Sequence, residues 1–281
     1  MNQLQTDPTD RGSPSPRERR LLFVGGLHRS GTSLVHRCLT RHPEVSGFSG
    51  TGAREDEGQH LQTVYPPGRA YGGPGRFGFD PEAHLTETSG LVSDRSRDRL
   101  LEEWGRHWDM SRPVLVEKSP PNLIRTRFLQ ALFPDSRMVM MLRHPIAVAA
   151  ATRRFGRARR MWKRMSYSSL IEHWLHCHEL LMEDAASIDH LLVMRYEEFV
   201  AGPDDRLAEV FRFTGVEPRP SGLHVRTDIN DSYFRRWSLA RHNPGTGSDI
   251  ERAMETLEER VGRFGYSLRK PQTLTPLQGV R

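Results

Sequence analysis

The sequence of 281 residues holds only two cysteines, Cys38 and Cys177, too few for a disulfide framework or a four-cysteine zinc site. It has no run near the ~18 apolar residues needed to cross a bilayer. Its first thirty residues lack the basic, apolar, small-residue order of an export signal. These absences lead us to expect a soluble, cytoplasmic protein. Hydrophobic residues at 36% and aromatics at 8% are scarce for a compact enzyme but above the level of a disordered chain. A folded body with polar loops and frayed ends is the expectation. Length alone leaves one enlarged domain and two small ones open.

What is present in excess is positive charge, and it is local. The net charge is +6, while Arg153, Arg154, Arg157, Arg159, Arg160, Lys163 and Arg164 carry more than all of it with no acid among them. Such a segment suits a polyanion, an acidic surface or a highly phosphorylated small molecule, and composition does not choose between them.

Residues 1–19 carry Pro, Ser, Gly and charge without apolar periodicity and read as a disordered tail; residues 270–281 read as a flexible one. Between them, aliphatic runs at 21–24, 114–116, 138–142 and 191–194 alternate with helical stripes, the pattern of parallel strands joined by crossover helices. Leu34, Val35, Cys38 and Leu39 form one stripe, and Leu123, Ile124, Phe128 and Leu132 another. A long amphipathic helix is predicted over 168–182. Another should begin at Pro203 and stop at Gly215, and Ser248 with Glu251 should box the start of a last one. Residues 47–90 are rich in Gly, Pro and Tyr, and so long an aperiodic connection is usually functional or mobile.

Gly26-Leu27-His28-Arg29-Ser30-Gly31-Thr32-Ser33 follows an aliphatic strand and opens a helix, the placement of a P-loop. Backbone N–H groups of such a turn and the helix N-terminus make an anion site. Nucleotide triphosphatases carry a lysine where Thr32 stands, so ATP chemistry is weakened while phosphate binding is kept, with Arg29 as the available cation. A glycine-rich turn with no ligand is the plain alternative.

The run LHRSGTSLVHRCLTRHP resembles the 5′-phosphosulfate loop of sulfotransferases that use 3′-phosphoadenosine 5′-phosphosulfate (PAPS), with His28 where that family has proline. EKSPPNLIRTRFLQALFPDSRMVMMLRHPIAVAAATRR is similar to the family's lysine turn and 3′-phosphate segment, and RYEEFVAGPDDRLAEVFRFTGV to its R-Y-E-D segment. The resemblance spans about residues 21–268, with the motifs in the family's order and closest to the carbohydrate and protein-tyrosine types. It implies an α/β, three-layer P-loop-like fold, a central mostly parallel sheet flanked by helices, as one domain over 20–269. It further implies sulfuryl transfer from PAPS, with no metal required, to a small-molecule, carbohydrate or peptidyl hydroxyl. Neither nucleic acid nor a membrane span is expected, and a homodimer stays open.

By resemblance, Arg29, Ser30, Gly31, Thr32 and Ser33 contact the 5′-phosphosulfate, Lys118 steadies the bridging oxygen, and Arg143 grips the 3′-phosphate. The family's partner serine falls on Ala151 here, and the neighbouring Thr152 is offered in its place. The family's glutamate base should follow His42-Pro43-Glu44-Val45; the next acids are Glu55, Asp56 and Glu57, and Glu57 is preferred, then Glu55, then His60. Asn230, Tyr233 and Trp237 suit a late loop over the nucleotide, Tyr233 stacking on adenine, or equally a packed core. The basic segment 153–164 serves the nucleotide, an acceptor lid or a solvated face. His173, His176 and His178 with Cys177 lack a zinc spacing and fit an amphipathic helix better. Two other readings are a P-loop kinase or phosphotransferase, which needs ATP and Mg²⁺, and a non-enzymatic polyanion binder working through 153–164.

Overall fold

The computed structural model describes residues 19–158 and 165–277. Strands β1 (Arg20–Gly26), β2 (Val45–Gly47), β3 (Val114–Lys118), β4 (Arg137–Leu142) and β5 (Leu191–Arg195) form one sheet in the order β2-β3-β1-β4-β5, with every pairing parallel. Four of these are the aliphatic runs of the sequence. They read as continuous rather than alternating because both faces are covered. Leu21 and Phe23 point into one core with Leu115, Met138 and Met140, while Leu22 and Val24 point into a second with Val114, Val116, Val139 and Met141.

Helices complete three layers, as expected. Of α1 (Thr32–Leu39), α2 (Asp94–Gly105), α3 (Thr126–Leu132), α4 (Pro145–Ala158), α5 (Tyr167–Ala185), α6 (Tyr196–Ala201), α7 (Pro203–Thr214), α8 (Ile229–Arg241), α9 (Gly247–Thr256) and α10 (Glu258–Arg263), the helices α1, α6 and α7 cover the Leu22 face. The apolar residues of the other seven lie in the Phe23 core, where Trp104, Trp174 and Trp237 are almost wholly buried. Burying each such side chain contributes about 1.5–3 kcal/mol.

Three sequence expectations change. Asn230, Tyr233 and Trp237 lie on helix α8 rather than in a loop, and their spacing of three and four is that of one helical face. The Ser248 and Glu251 capping box does not form: α9 begins at Gly247 after Thr246 without a side-chain cap, and the stripe breaks at Leu257 into α9 and α10. Asp249 instead accepts the N–H of Tyr167 at 2.6 Å and so ties α9 to the first turn of α5. Residues 47–90 contain five separate single 3₁₀ turns, which leave no period to read. The segment from Lys270 is largely exposed but is anchored at Thr275, whose N–H donates to Gly265 at 3.0 Å and whose carbonyl accepts from Arg195 at 2.6 Å.

The register sets the site. Val24 pairs with Lys118 and Gly26 with Met141, so β1, β3 and β4 end level and their three following loops open on the same carboxyl edge.

Candidate active site

The loop between β1 and α1 is shaped by two residues in the left-handed region, Arg29 at φ 74° and Gly31 at φ 104°. A Cβ on Gly31 would lie 2.6 Å from the ring of Tyr196, so glycine is required there for space as well as for φ. Ser30 turns inward: its N–H donates to Leu27, and its hydroxyl is buried with no partner. Thr32 is buried and Ser33 half-buried on the first turn of α1, whose leading N–H groups have no intrahelical acceptor. An inward, unpartnered hydroxyl at a helix N-terminus fits an oxyanion of a phosphate or sulfate group. The Arg29 guanidinium stands 4.0 Å over the ring of Phe155 on α4.

Lys118 ends β3 with its side chain buried, and its Nζ donates to the carbonyl of Glu55 at 2.8 Å and to Glu57 Oε1 at 3.4 Å. Glu55 and Asp56 take φ 55° and 49° in succession. That double turn presents the carbonyl of Glu55 to the ammonium, and residue 55 as a whole is exposed. Asp56 accepts from Gly50 N, Thr51 N and Thr51 Oγ1 and so closes the turn. Of the three candidate bases, Glu57 is the carboxylate placed against Lys118, and His60 stands 3.7 Å behind it. Burial raises the Glu57 carboxyl above its ordinary range, with the Lys118 charge pulling the other way.

Arg143 follows β4. Its Nε and Nη2 donate to Asn230 Oδ1 at 2.9 and 2.6 Å, and its Nη1 donates to the carbonyl of Arg29 at 2.9 Å. One guanidinium thereby joins the phosphate loop to helix α8. It stacks 4.0 Å from the ring of Tyr196 and 5.6 Å from that of Tyr233, and Thr152 is buried nearby in sequence on α4.

The family model described as "Sulfotransferase family" matches residues 22–220. The chain belongs to the sulfotransferase family. Among its relatives, it is 26% identical over 277 residues to protein-tyrosine sulfotransferase 2 of Gallus gallus, covering 89% of this chain and 70% of that one. It is 24% identical over 231 residues to a protein-tyrosine sulfotransferase of Drosophila melanogaster, covering 80% of this chain but only 44% of the relative. The fold is similar to that of a sulfotransferase from Mycobacterium avium, with a TM-score of 0.54 at 14% identity over 88% of this chain and 77% of the other.

The chain also carries polar groups that sequence reasoning missed. Glu197 Oε1 accepts the N–H of His144 at 3.0 Å and Asn230 Nδ2 at 2.7 Å, and its Oε2 accepts the hydroxyl of Tyr266 at 2.9 Å. Glu117, beside Lys118, is buried, and burial pushes its carboxyl up to about 7 against the bonds from Ser119 and Asn122. Both lie inside the R-Y-E-E and E-K-S-P motifs, each within two residues of a cation that is the more evident partner for an anion. In the basic segment, Arg153 stacks 4.2 Å over Tyr167 and residue 154 is exposed, while residues 159–164 lie outside the described residues. The histidines of α5 do structural work: His173 accepts the N–H of Gly78 at 3.1 Å and His178 bonds the carbonyl of Trp174 at 2.6 Å. No group of three or more His, Cys, Asp or Glu stands together as a metal set among the described residues. Among them, too, no helix is long and apolar enough to cross a membrane.

Proposed function

We propose that this chain moves a sulfuryl group from PAPS to a hydroxyl acceptor at the edge where β1, β3 and β4 end. The observation that carries the reading is the buried Lys118 and Glu57 pair set at that edge beside the phosphate loop. PAPS supplies an SO₃ group on a phosphate that departs as it is transferred. Ser30 Oγ and the N–H groups of Gly31, Thr32 and Ser33 hold the 5′ end, and Arg143 with Thr152 and Tyr233 holds the nucleotide's other end. Glu57 takes the acceptor's hydroxyl proton as the new S–O bond forms. Lys118 and Arg29 offset the negative charge that gathers on the bridging oxygen as the old S–O bond breaks, an electrostatic effect of the kind that is strongest in a water-poor site.

A tyrosyl hydroxyl is the first acceptor to test, because the animal relatives are named for it; small-molecule and carbohydrate hydroxyls follow. We place the reaction in the cytoplasm, a reading supported by two buried free thiols. The test is calorimetry with adenosine 3′,5′-bisphosphate, ATP with Mg²⁺, and duplex DNA, followed by ³⁵S transfer from PAPS to a tyrosyl peptide, p-nitrophenol and a glucoside. Tight binding of the bisphosphate alone is the expected result. Preference for ATP with Mg²⁺ or for DNA overturns the reading.

A further inference from the structure

The turn that carries Glu57 straddles the end of β3. On one side Glu57 meets Lys118; on the other, Gly58 and Gln59 lie against Glu117 and Ser119. Successive strand residues face opposite ways, so neighbouring positions 117 and 118 serve the two flanks of one loop.

On the Glu117 flank the bonds form a continuous chain. Ser119 Oγ donates to Glu117 Oε1 at 2.6 Å, and Asn122 Nδ2 donates to Glu117 Oε2 at 2.5 Å. Ser119 Oγ in turn accepts the N–H of Gln59 at 2.9 Å, and Gln59 Nε2 donates to Glu57 Oε2 at 2.5 Å. The other end of the Gln59 amide is fixed as well, its Oε1 accepting the N–H of Gly68 at 2.8 Å. Gly58 rests directly on the Glu117 carboxyl, where any Cβ would collide with it. The height of the loop over the strand is therefore set by that carboxyl.

Glu117 is 1% exposed, and among the described residues it forms no ion pair with any lysine, arginine or histidine. A buried carboxyl without a cation costs stability, and a hydrophobic residue there would avoid the cost. Its neighbours point to what the position does instead. Every bond it accepts leads within two steps to the loop that holds the proposed base or to the turn after Lys118.

We propose that Glu117 is a positioning residue for sulfuryl transfer: through Ser119 and Gln59 it holds the Glu57 carboxylate in register with the Lys118 ammonium. The inference rests on the reading of Glu57 as the base. Its role is geometric, since neither oxygen of Glu117 reaches Glu57 and the link runs through a backbone N–H and a side-chain amide. Misplacing a reacting group by about 1 Å costs roughly 100-fold in rate, so loss of this support should fall on turnover rather than on nucleotide binding.

The experiment is a double-mutant cycle between positions 117 and 57. It is read as release of adenosine 3′,5′-bisphosphate from PAPS with p-nitrophenol present and, where phenol is not taken, with water alone. Glu117→Ala should lower kcat roughly 10- to 100-fold while leaving bisphosphate affinity by calorimetry within about twofold. Glu117→Gln, which keeps an accepting oxygen in the same volume, should recover most of that loss. In a Glu57→Gln background, Glu117→Ala should add little, because both act on one group. Equal losses in both backgrounds, or an unchanged kcat in Glu117→Ala, overturn the positioning role and leave the base intact. Full activity in Glu57→Gln alone overturns the base itself. If Glu117→Ala does not fold, Gln59→Ala decides: it cuts the link without touching Glu117, and an unchanged kcat there overturns the proposal.

Discussion

The ammonium of Lys118 is shared between the carbonyl of Glu55 and the carboxylate of Glu57, at 2.8 and 3.4 Å, with both side chains of the ion pair almost wholly out of water. A cation in that position does two jobs. It offsets part of the rise in proton affinity that burial causes at Glu57, and it places a positive charge at the same sheet edge as the loop after β1.

Lys118→Ala removes both. Burial of Glu57 is then opposed mainly by the bond from Gln59, so its proton affinity rises and the acid limb of the pH profile of kcat/KM moves to higher pH. Turnover should fall roughly 100- to 1,000-fold, and adenosine 3′,5′-bisphosphate affinity should stay within about threefold by calorimetry. A larger loss in affinity than in kcat would count against the assignment.

Glu57→Gln keeps the volume and the Gln59 contact but cannot take a proton. The expected outcome is a kcat about 100- to 10,000-fold lower with bisphosphate binding preserved, measured by ³⁵S transfer and calorimetry. Glu55→Gln should cost less than about threefold, since Lys118 uses the carbonyl of residue 55 rather than its carboxylate.

Arg143→Lys replaces a planar fork with a point charge. It loses the paired donation to Asn230 and the bond to the carbonyl of Arg29, so the phosphate loop and α8 are no longer joined by one group. Bisphosphate affinity should drop about tenfold or more, equivalent to ~1.4 kcal/mol, with a smaller effect on kcat at saturating nucleotide. Equal affinity for the two proteins in calorimetry would refute the role.

Gly31→Ala forces a side chain into φ 104° and against the ring of Tyr196. The strain should cost about 1–3 kcal/mol of stability, seen as a lower thermal midpoint, and bisphosphate should no longer raise that midpoint as it does in the parent protein.

Histidines held neutral by burial set much of the acid stability. Burial lowers His36 and His178 from 6.5 to about 4, and His144 and His173 to about 3. Their contribution is present above pH 6.5 and is lost as pH falls, because the unfolded chain then binds protons that the folded one refuses. Glu117 has the opposite sign: raised from 4.5 to about 7, it favours the folded state below 4.5 and loses that advantage as pH rises to 7. His28 is lowered in the same way and Glu57 is raised like Glu117, so five histidines stand against two carboxyls between pH 4.5 and 6.5, and the thermal midpoint should climb across that interval and level off near neutrality. A midpoint that rises on acidification from pH 6.5 to 5 would contradict the balance.

The legible parts of this molecule were those with a period or a punctuation mark. Pro203 and Gly215 bound α7 as read, and doubly buried strands showed as unbroken aliphatic runs. Strand β2 has three residues and no run to show. Helix α8 carries Arg235, Arg236, Ser238 and Arg241 around Trp237, its one buried apolar residue, so its polar residues masked its period. At the site, Lys118 and Arg143 were visible because one ends an aliphatic strand and the other directly follows one. Gln59 and Glu117 were not, because their roles depend on a loop returning 61 residues ahead of its partner to lie across β3, which no local pattern encodes.

The parallel register has a consequence during synthesis. Strand β1 sits at the middle of the sheet, yet its partners are Leu115 beside Leu21 and Arg137 beside Leu22. At about 5–20 residues per second, a ribosome needs roughly 5–20 s to deliver β3 after β1. For that interval the apolar strand bearing the phosphate loop has no neighbour on either edge. The nascent chain therefore exposes an apolar strand early and pairs it late, so its yield on expression should depend on chaperone capacity.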